Sequence, residues 1–366
     1  MVAAVAGSRF GVDYPKIAFS HDDWKTPMAV EMRLFGRTGV QVSNLCLGAM
    51  MFGMRTEPAD AYAMVDRAIE RGVNFIDTAN VYSRGRSETI TGEALKRNGK
   101  RDRMVLATKF HGAMADDDPN MRGASRRHIV AACEASLTRL QTDYIDLYQM
   151  HRPRSDTAID ETLRALDDLI RQGKVCYIGT STFAAWQFVE SLWVAEKHGL
   201  NRFVCEQQPY NLVDRRVERE LMPMARTYGV ATIPWSPLAG GLLTGKYRRG
   251  EEPPAGTRFA NMARMRANQR QRFNEDIFDV IEGLEPIAAD RGVPLSQFAL
   301  AWVMAQPGVT SPIIGPRSME QLDDNLDAAD VSLTAEDFKR VDAVVPPGRM
   351  VAPYYEADFG PHRFRV

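Results

Sequence analysis

Cysteine is scarce in this chain: four residues in 366, Cys46, Cys133, Cys176 and Cys205. They stand far apart inside apolar runs, which excludes a disulfide frame and reads as reduced core thiols of a cytoplasmic protein. The six His are scattered without paired spacing, so no metal site is expected. Neither sign of charge prevails: 46 Lys and Arg stand against 47 Asp and Glu, a formal net charge of -1. That balance offers no electrostatic case for nucleic acid or an anionic membrane as partner. Long apolar runs are missing too. No segment approaches the ~20 apolar residues of a spanning helix. The stretch before Glu31 carries charge throughout and has no apolar h-region, so it reads as neither signal peptide nor membrane anchor. We expect 1–30 to be a mobile tail, 31–345 one folded body, and 346–366 a C-terminal tail whose aromatic residues fold near its mouth.

What is present is a repeat of one pattern. A short run rich in β-branched or aromatic residues leads into a polar turn and then a helix-period segment. The runs are NLCLGAM (44–50), VNFIDTA (73–79), MVLATKF (104–110) and YIDLYQM (144–150), followed by KVCYIGTS (174–181), FVCEQQ (203–208), VATIPWS (230–236) and TSPIIG (310–315). Near-continuous apolar runs suit parallel strands buried on both faces. Between them lie segments whose apolar residues recur at three and four, most ending at Gly or Asn, as helices do. One such segment is taken to run unbroken from Asp214 to Gly229, and Asp60, Ser87, Ser125 and Asp214 stand where N-caps belong. Strand starts recur roughly every 30 residues, the length of a βαβ unit.

Eight such units predict an α/β fold, a single (β/α)₈ TIM barrel. A doubly wound open sheet is the rival, but no Gly-x-Gly-x-x-Gly turn follows the first run. Ahead of that run, RLFGRTGVQVS (33–43) alternates about a Gly-Arg-Thr-Gly turn and predicts an N-terminal hairpin that plugs the barrel's bottom. After the seventh strand comes a long loop rich in Gly, Pro and basic residues. Long loops at the C-terminal ends of barrel strands are usually functional.

Barrel chemistry sits at those C-terminal strand ends. Reading along them gives Asp77, Lys109, His151, Ser181, Gln207 and Trp235, with Tyr82 shortly beyond Asp77. Each has a plainer reading alone: Asp77 as a turn former, Lys109 as a rim lysine, His151 as a structural histidine, Trp235 as core. Together, Asp77, Tyr82, Lys109 and His151 make a coherent hydride-transfer site. Reducing a carbonyl builds charge on its oxygen, which must take a proton. A tyrosine, weakly acidic at about pH 10, becomes a usable donor beside an ammonium that stabilises phenolate. Tyr82 is the acid in this reading; Asp77 holds Lys109, and His151 orients the carbonyl oxygen.

The segments FIDTANVY, ATKF and YQMHRP resemble the three blocks that carry the Asp, Tyr, Lys and His tetrad of the aldo-keto reductase superfamily. The likeness runs from about Arg33 to Val344. WSPLAGGLLTGKY (235–247) is similar to the seventh-strand block of the branch that holds potassium-channel β subunits and many bacterial reductases.

The resemblance implies NADPH/NADP+ as cofactor, with Ala49, Met50 and Asp77 among its contacts. Ser181, Thr182 and Gln207 would grip the carboxamide, although Thr182 stands where the family has Asn. Trp235 would stack on the nicotinamide, and the strap Ser236, Pro237, Leu238, Gly240 and Lys246 would hold the pyrophosphate. Gly315, Arg317, Gln321, Asp324 and Asn325 would hold the adenosine phosphate. Gly-Pro replaces the Lys-Ser of some branches, so Arg317 carries the preference for NADPH. His111 and Arg258 are left as rim or surface residues, and Met50, Met51 and Phe52 as pocket wall or core.

The implied function is NADPH-dependent reduction of an aldehyde or ketone, an oxidoreductase acting on a small-molecule carbonyl. No nucleic acid, membrane or metal partner is expected, and homo-oligomers are left open. The alternative is a cofactor-binding, redox-sensing module like the channel β subunits; those place Asn where this chain keeps His151. A Schiff-base aldolase with Lys109 as nucleophile is disfavoured, because Asp77 would raise rather than lower its pKa.

Overall fold

The computed structural model describes residues 30–154, 156–260, 265 and 267–354. The tail expected over 1–30 lies almost wholly outside the described residues, as does the C-terminal tail beyond Tyr354.

A hairpin opens the chain: β1 (Met32–Leu34) pairs antiparallel with β2 (Gln41–Ser43). Eight parallel strands follow. They are β3 (Cys46–Gly48), β4 (Phe75–Asp77), β5 (Val105–Phe110) and β6 (Ile145–Met150), then β7 (Val175–Ser181), β8 (Cys205–Gln207), β9 (Ala231–Thr232) and β10 (Ile313–Ile314). Their order is β10-β3-β4-β5-β6-β7-β8-β9. The edges meet: Thr310 N–H donates to Thr232 O at 2.9 Å and Ile313 N–H to Pro234 O at 2.7 Å. The fold is the (β/α)₈ barrel that the eight runs predict.

Helices α1 (Pro58–Glu70), α2 (Arg86–Asn98), α3 (Arg126–Leu140), α4 (Ile159–Arg171), α5 (Ala185–His198) and α6 (Leu221–Tyr228) follow strands β3 to β8 in turn, one in each crossover. Then come α7 (Ala267–Arg270), α8 (Glu275–Asp290), α9 (Leu295–Met304), α10 (Met319–Asp327) and α11 (Ala335–Val344). The three-four spacing does its work: α1 buries Ala61, Met64, Val65 and Ala68 against the barrel.

The barrel's inside forms its own apolar cluster from Cys46, Phe75, Ala107, Leu147, Cys205 and Ala231, closed below by Phe35 and Val42 of the hairpin region. Phe35 meets Phe75 edge-on with ring centroids 5.7 Å apart. The hairpin is therefore the plug.

Three of the four N-caps differ from expectation. Ser125 caps α3 by accepting from His128 N–H, but Glu57 precedes α1 with Pro58 at its first position, and Gly85 precedes α2. Asp60 and Ser87 fall inside the first turns. Asp214 is drawn inward instead: it is buried and accepts from the Arg216 guanidinium and from Tyr354 N–H at 2.6 Å. That inward pull splits the helix expected from 214 to 229 into a short 3₁₀ turn, Arg216–Glu218, and α6. Cys176 is exposed, contrary to its reading as a core thiol; the other three cysteines are buried.

Candidate active site

Register brings the polar strand ends together. Lys109 on β5 pairs with Gln149 on β6, and Ser181 on β7 with Gln207 on β8. After β4 the chain turns tightly, with Tyr82 N–H donating to Ala79 O at 3.1 Å, into the 3₁₀ turn Tyr82–Gly85. Gly112 allows the loop after β5 to press on this turn, since a Cβ there would sit 2.0 Å from Val81 Cγ1. Tyr82 is thereby held over the end of β5.

The Lys109 side chain is fully buried, and its ammonium donates to three oxygens. One belongs to the Asp77 carboxylate, one is Thr78 O at 2.8 Å, and the third is Tyr82 Oη at 3.3 Å. The other Asp77 oxygen accepts from Gln149 Nε2 at 2.9 Å and Gln207 Nε2 at 3.0 Å. Such saturation is what makes a buried charge pair tolerable. An ammonium has three hydrogens and no lone pair. Tyr82 Oη must therefore accept from Lys109, which leaves its own hydrogen for another acceptor. His151 follows β6 and meets the Tyr82 ring edge-on at 5.7 Å.

Charge states follow from the surroundings. Burial pulls the Lys109 ammonium down, but the Asp77 carboxylate and then Tyr82 outweigh it, and its pKa ends above the ordinary lysine value. A lysine held protonated is a poor amine nucleophile, which disposes of the Schiff-base alternative. Burial first, then Lys109, Arg152 and His111, hold His151 well below the usual histidine value. These surroundings favour the neutral form of the His151 imidazole.

These groups open into a cleft of about 1280 Å³ at the C-terminal strand ends. Asp77, Tyr82 and His151 line its floor, with Ser181, Thr182 and Gln207 beside them and Trp235 on the wall. Ser236, Pro237, Leu238, Gly240 and Lys246 continue along one side; Gly315, Arg317, Gln321, Asp324 and Asn325 line the far end. Met50 and Met51 line it as well, whereas Phe52 is core. Ala49, expected among the cofactor contacts, is fully buried, its carbonyl accepts from Ser87 Oγ at 2.7 Å, and it is not among the residues that line the cleft. Lys109 does not line the cleft itself and meets it through Asp77 and Tyr82.

The long loop after β9 stores backbone strain. Ser236 and Ala239 hold φ of 55° and 50°, left-handed values costly for residues with a Cβ, beside Gly240 and Gly241 at 63° and 97°. Thr182 is left-handed too, at 58°, where an Asn would sit more easily. Lys246, Arg258 and Arg317 crowd the same end of the cleft. Burial and then the charges of Arg317 and Arg258 depress the Lys246 ammonium. Such a cluster calls for an anion.

The model for the aldo/keto reductase family matches residues 44–346, so it spans the barrel and every strand end described above. The chain belongs to the aldo/keto reductase family. It is 41% identical over 328 residues to an uncharacterized oxidoreductase, YrpG, of Bacillus subtilis, covering 87% of this chain and 97% of that one. It is 39% identical over 322 residues to a probable voltage-gated potassium channel subunit beta of rice, Oryza sativa, covering 86% and 97%. Versiconal hemiacetal acetate reductase of Aspergillus parasiticus is 33% identical over 341 residues, covering 87% and 98%. The chain is thus a member of the aldo/keto reductase family with oxidoreductase relatives. Among the described residues, no helix is long and apolar enough to cross a membrane, and no His, Cys, Asp and Glu cluster is arranged to hold a metal.

The sequence reading missed two participants. Gln149 binds Asp77 and lies two residues before His151, so strand alternation along β6 could have found it. Arg152 donates to Thr182 Oγ1 at 3.0 Å, and no periodic signal marks it. Tyr354, in the tail whose aromatic residues were expected near the mouth, lines the cleft, although the sequence did not single it out.

Proposed function

We propose that this protein reduces an aldehyde or ketone to an alcohol with NADPH, and that Tyr82 delivers the proton. One observation carries the reading: Lys109 occupies a lone pair of Tyr82 Oη and leaves the phenolic hydrogen as the donor at the floor of the cleft. A carbonyl oxygen seated there accepts that hydrogen, with the neutral His151 beside it as a second hydrogen-bonding group. As the proton leaves, negative charge grows on Oη against an ammonium that Asp77 keeps charged and in place.

The residues fit a dinucleotide. The trio of Lys246, Arg258 and Arg317 suits phosphates, and Gly241 leaves room for the Lys246 ammonium, since a Cβ there would lie 2.6 Å from its Nζ. Trp235 presents an aromatic face on the cleft wall, and its indole nitrogen is buried without a partner. Gln207 spends its amide nitrogen on Asp77 and Gln149, so its oxygen is left for a carboxamide. When bound, the dihydronicotinamide supplies a hydride to the carbonyl carbon. Arg317 favours NADPH over NADH, because its planar fork matches a phosphate. The four free thiols support a reducing, cytoplasmic setting.

The test is oxidation of NADPH on addition of 4-nitrobenzaldehyde, followed at the nicotinamide absorbance. Tyr82→Phe should lower turnover by about 10²-fold or more while leaving NADPH affinity within about threefold. Wild-type rates in that variant would refute the assignment. The rice relative named as a channel subunit supports a second reading, a cofactor-holding regulatory module. A wild-type protein that binds NADPH but turns over no carbonyl in the same assay would favour it.

A further inference from the structure

The last described residues fold back across the barrel mouth and end on the strap. Val351 N–H and Ala352 N–H both donate to Val213 O, at 2.8 and 3.0 Å, and Asn274 Nδ2 donates to Val351 O at 3.1 Å. Tyr354 N–H donates to the buried Asp214 carboxylate at 2.6 Å. Arg272 donates from Nε to Pro353 O at 2.7 Å and lies over the Tyr354 ring at 4.2 Å. These bonds leave Tyr354 almost fully buried, with its ring edge-on to Trp235 at 6.4 Å and its hydroxyl donating to Ala239 O at 2.5 Å.

Ala239 opens the glycine-rich turn Ala239–Thr244 and is one of the strap's left-handed residues. A non-glycine residue held there sits about 1–2 kcal/mol above its relaxed conformation, so such a backbone persists only where its surroundings over-determine it. The Tyr354 hydroxyl is the side-chain contact that pins this carbonyl. The same hydroxyl lies 3.4 Å from where a Cβ on Gly240 would be, and Arg258 Cδ lies 3.2 Å from it. One aromatic side chain thus touches the strap's strained turn and the wall tryptophan at once.

We propose that Tyr354 is a positioning residue that latches the strap over the dinucleotide and so sets how long the cofactor stays bound. The inference rests on the cofactor reading above. With the latch present, strap opening must break the hydroxyl bond to Ala239. Without it, the strained turn relaxes outward and the cofactor leaves sooner, while Tyr82, Lys109 and Asp77, bonded to one another on other strands, keep their contacts.

Stopped-flow release of NADP+ from Tyr354→Phe, followed by the recovery of tryptophan fluorescence, tests this. The phenyl ring keeps the Trp235 and Arg272 contacts and loses only the hydroxyl. We expect release to be faster by about five- to tenfold, the worth of one buried hydrogen bond. The single-turnover rate of hydride transfer should change by a smaller factor. Release at the wild-type rate from a variant that binds NADP+ would overturn the latch alone. A wild-type chain that binds no NADP+ would overturn the cofactor reading and the latch with it. A general packing role would slow hydride transfer without speeding release, and that result also counts against the proposal. Arg272→Met, which removes the cation over the ring, gives a second arm should Tyr354→Phe fail to fold. It should also speed release, and unchanged release there would refute the latch.

Discussion

Lys109→Met separates what the buried pair does for the fold from what it does for chemistry. The substitution leaves the Asp77 carboxylate nearly fully buried, with amide donors from Gln149 and Gln207 at 2.9 and 3.0 Å but without its cation. Removing one partner of a buried ion pair costs about 3–5 kcal/mol, which for a barrel of this size lowers Tm by on the order of 10 °C. Adding Asp77→Asn removes the stranded charge, so the double variant should regain about 2–3 kcal/mol of that loss. It should regain no activity, because Tyr82 Oη still lacks its ammonium donor; NADPH-dependent reduction should stay about 10²- to 10⁴-fold down in both variants. Urea unfolding midpoints report the first quantity and nicotinamide oxidation the second. A double variant no more stable than Lys109→Met would show that Asp77 carries no uncompensated charge there. A single variant that keeps more than about a tenth of wild-type turnover would show that Tyr82 works without Lys109.

Arg317→Ala should weaken NADPH by about 10- to 100-fold, the worth of a charge-assisted phosphate contact, and weaken NADH by less than about threefold. Fluorescence titration with both nucleotides reads the difference, and equal losses would place recognition of the extra phosphate elsewhere. Glu206, behind the Ser181–Thr182 turn, has its carboxyl pushed up to about 8 by burial, against the opposing bonds from the Thr180 hydroxyl and Phe183 N–H. The native chain then holds a proton that the unfolded chain releases near the ordinary carboxylate range. Stability should therefore fall as pH rises from about 4.5 through about 8 and level off beyond, by linkage. Glu206→Gln should flatten that slope; unfolding free energies with the same slope in variant and wild type would refute the shift.

The strands were legible because each is buried on both faces, which forces an apolar run, and because a polar residue ending such a run has few cheap explanations. Asp77, Lys109, His151, Ser181 and Gln207 could all be picked out on that ground, and β5, β6 and β7 begin within a residue of where the runs do. The N-caps were less legible. Asp60, Ser87 and Asp214 are chemically apt for capping, but a Pro at the first turn of α1, a left-handed Gly85 and the inward pull of Arg216 and Tyr354 on Asp214 decided otherwise. Ala49 could not be told from Met50 by pattern, since which of two neighbours faces the cleft depends on how β3 ends against β4.

From its sequence alone this protein was determined to be eight strand-helix units, a hairpin plug, and a set of ionisable side chains at one end of the strands. Those are properties of burial and periodicity, which a linear chain records. Tertiary structure alone decided that the Lys109 ammonium would spend its three hydrogens on Asp77, Thr78 and Tyr82, that Gln149 would back Asp77, and that Tyr354 would reach Ala239. Such contacts join residues remote in the chain, and they depend on barrel closure and strand register, which no local pattern encodes.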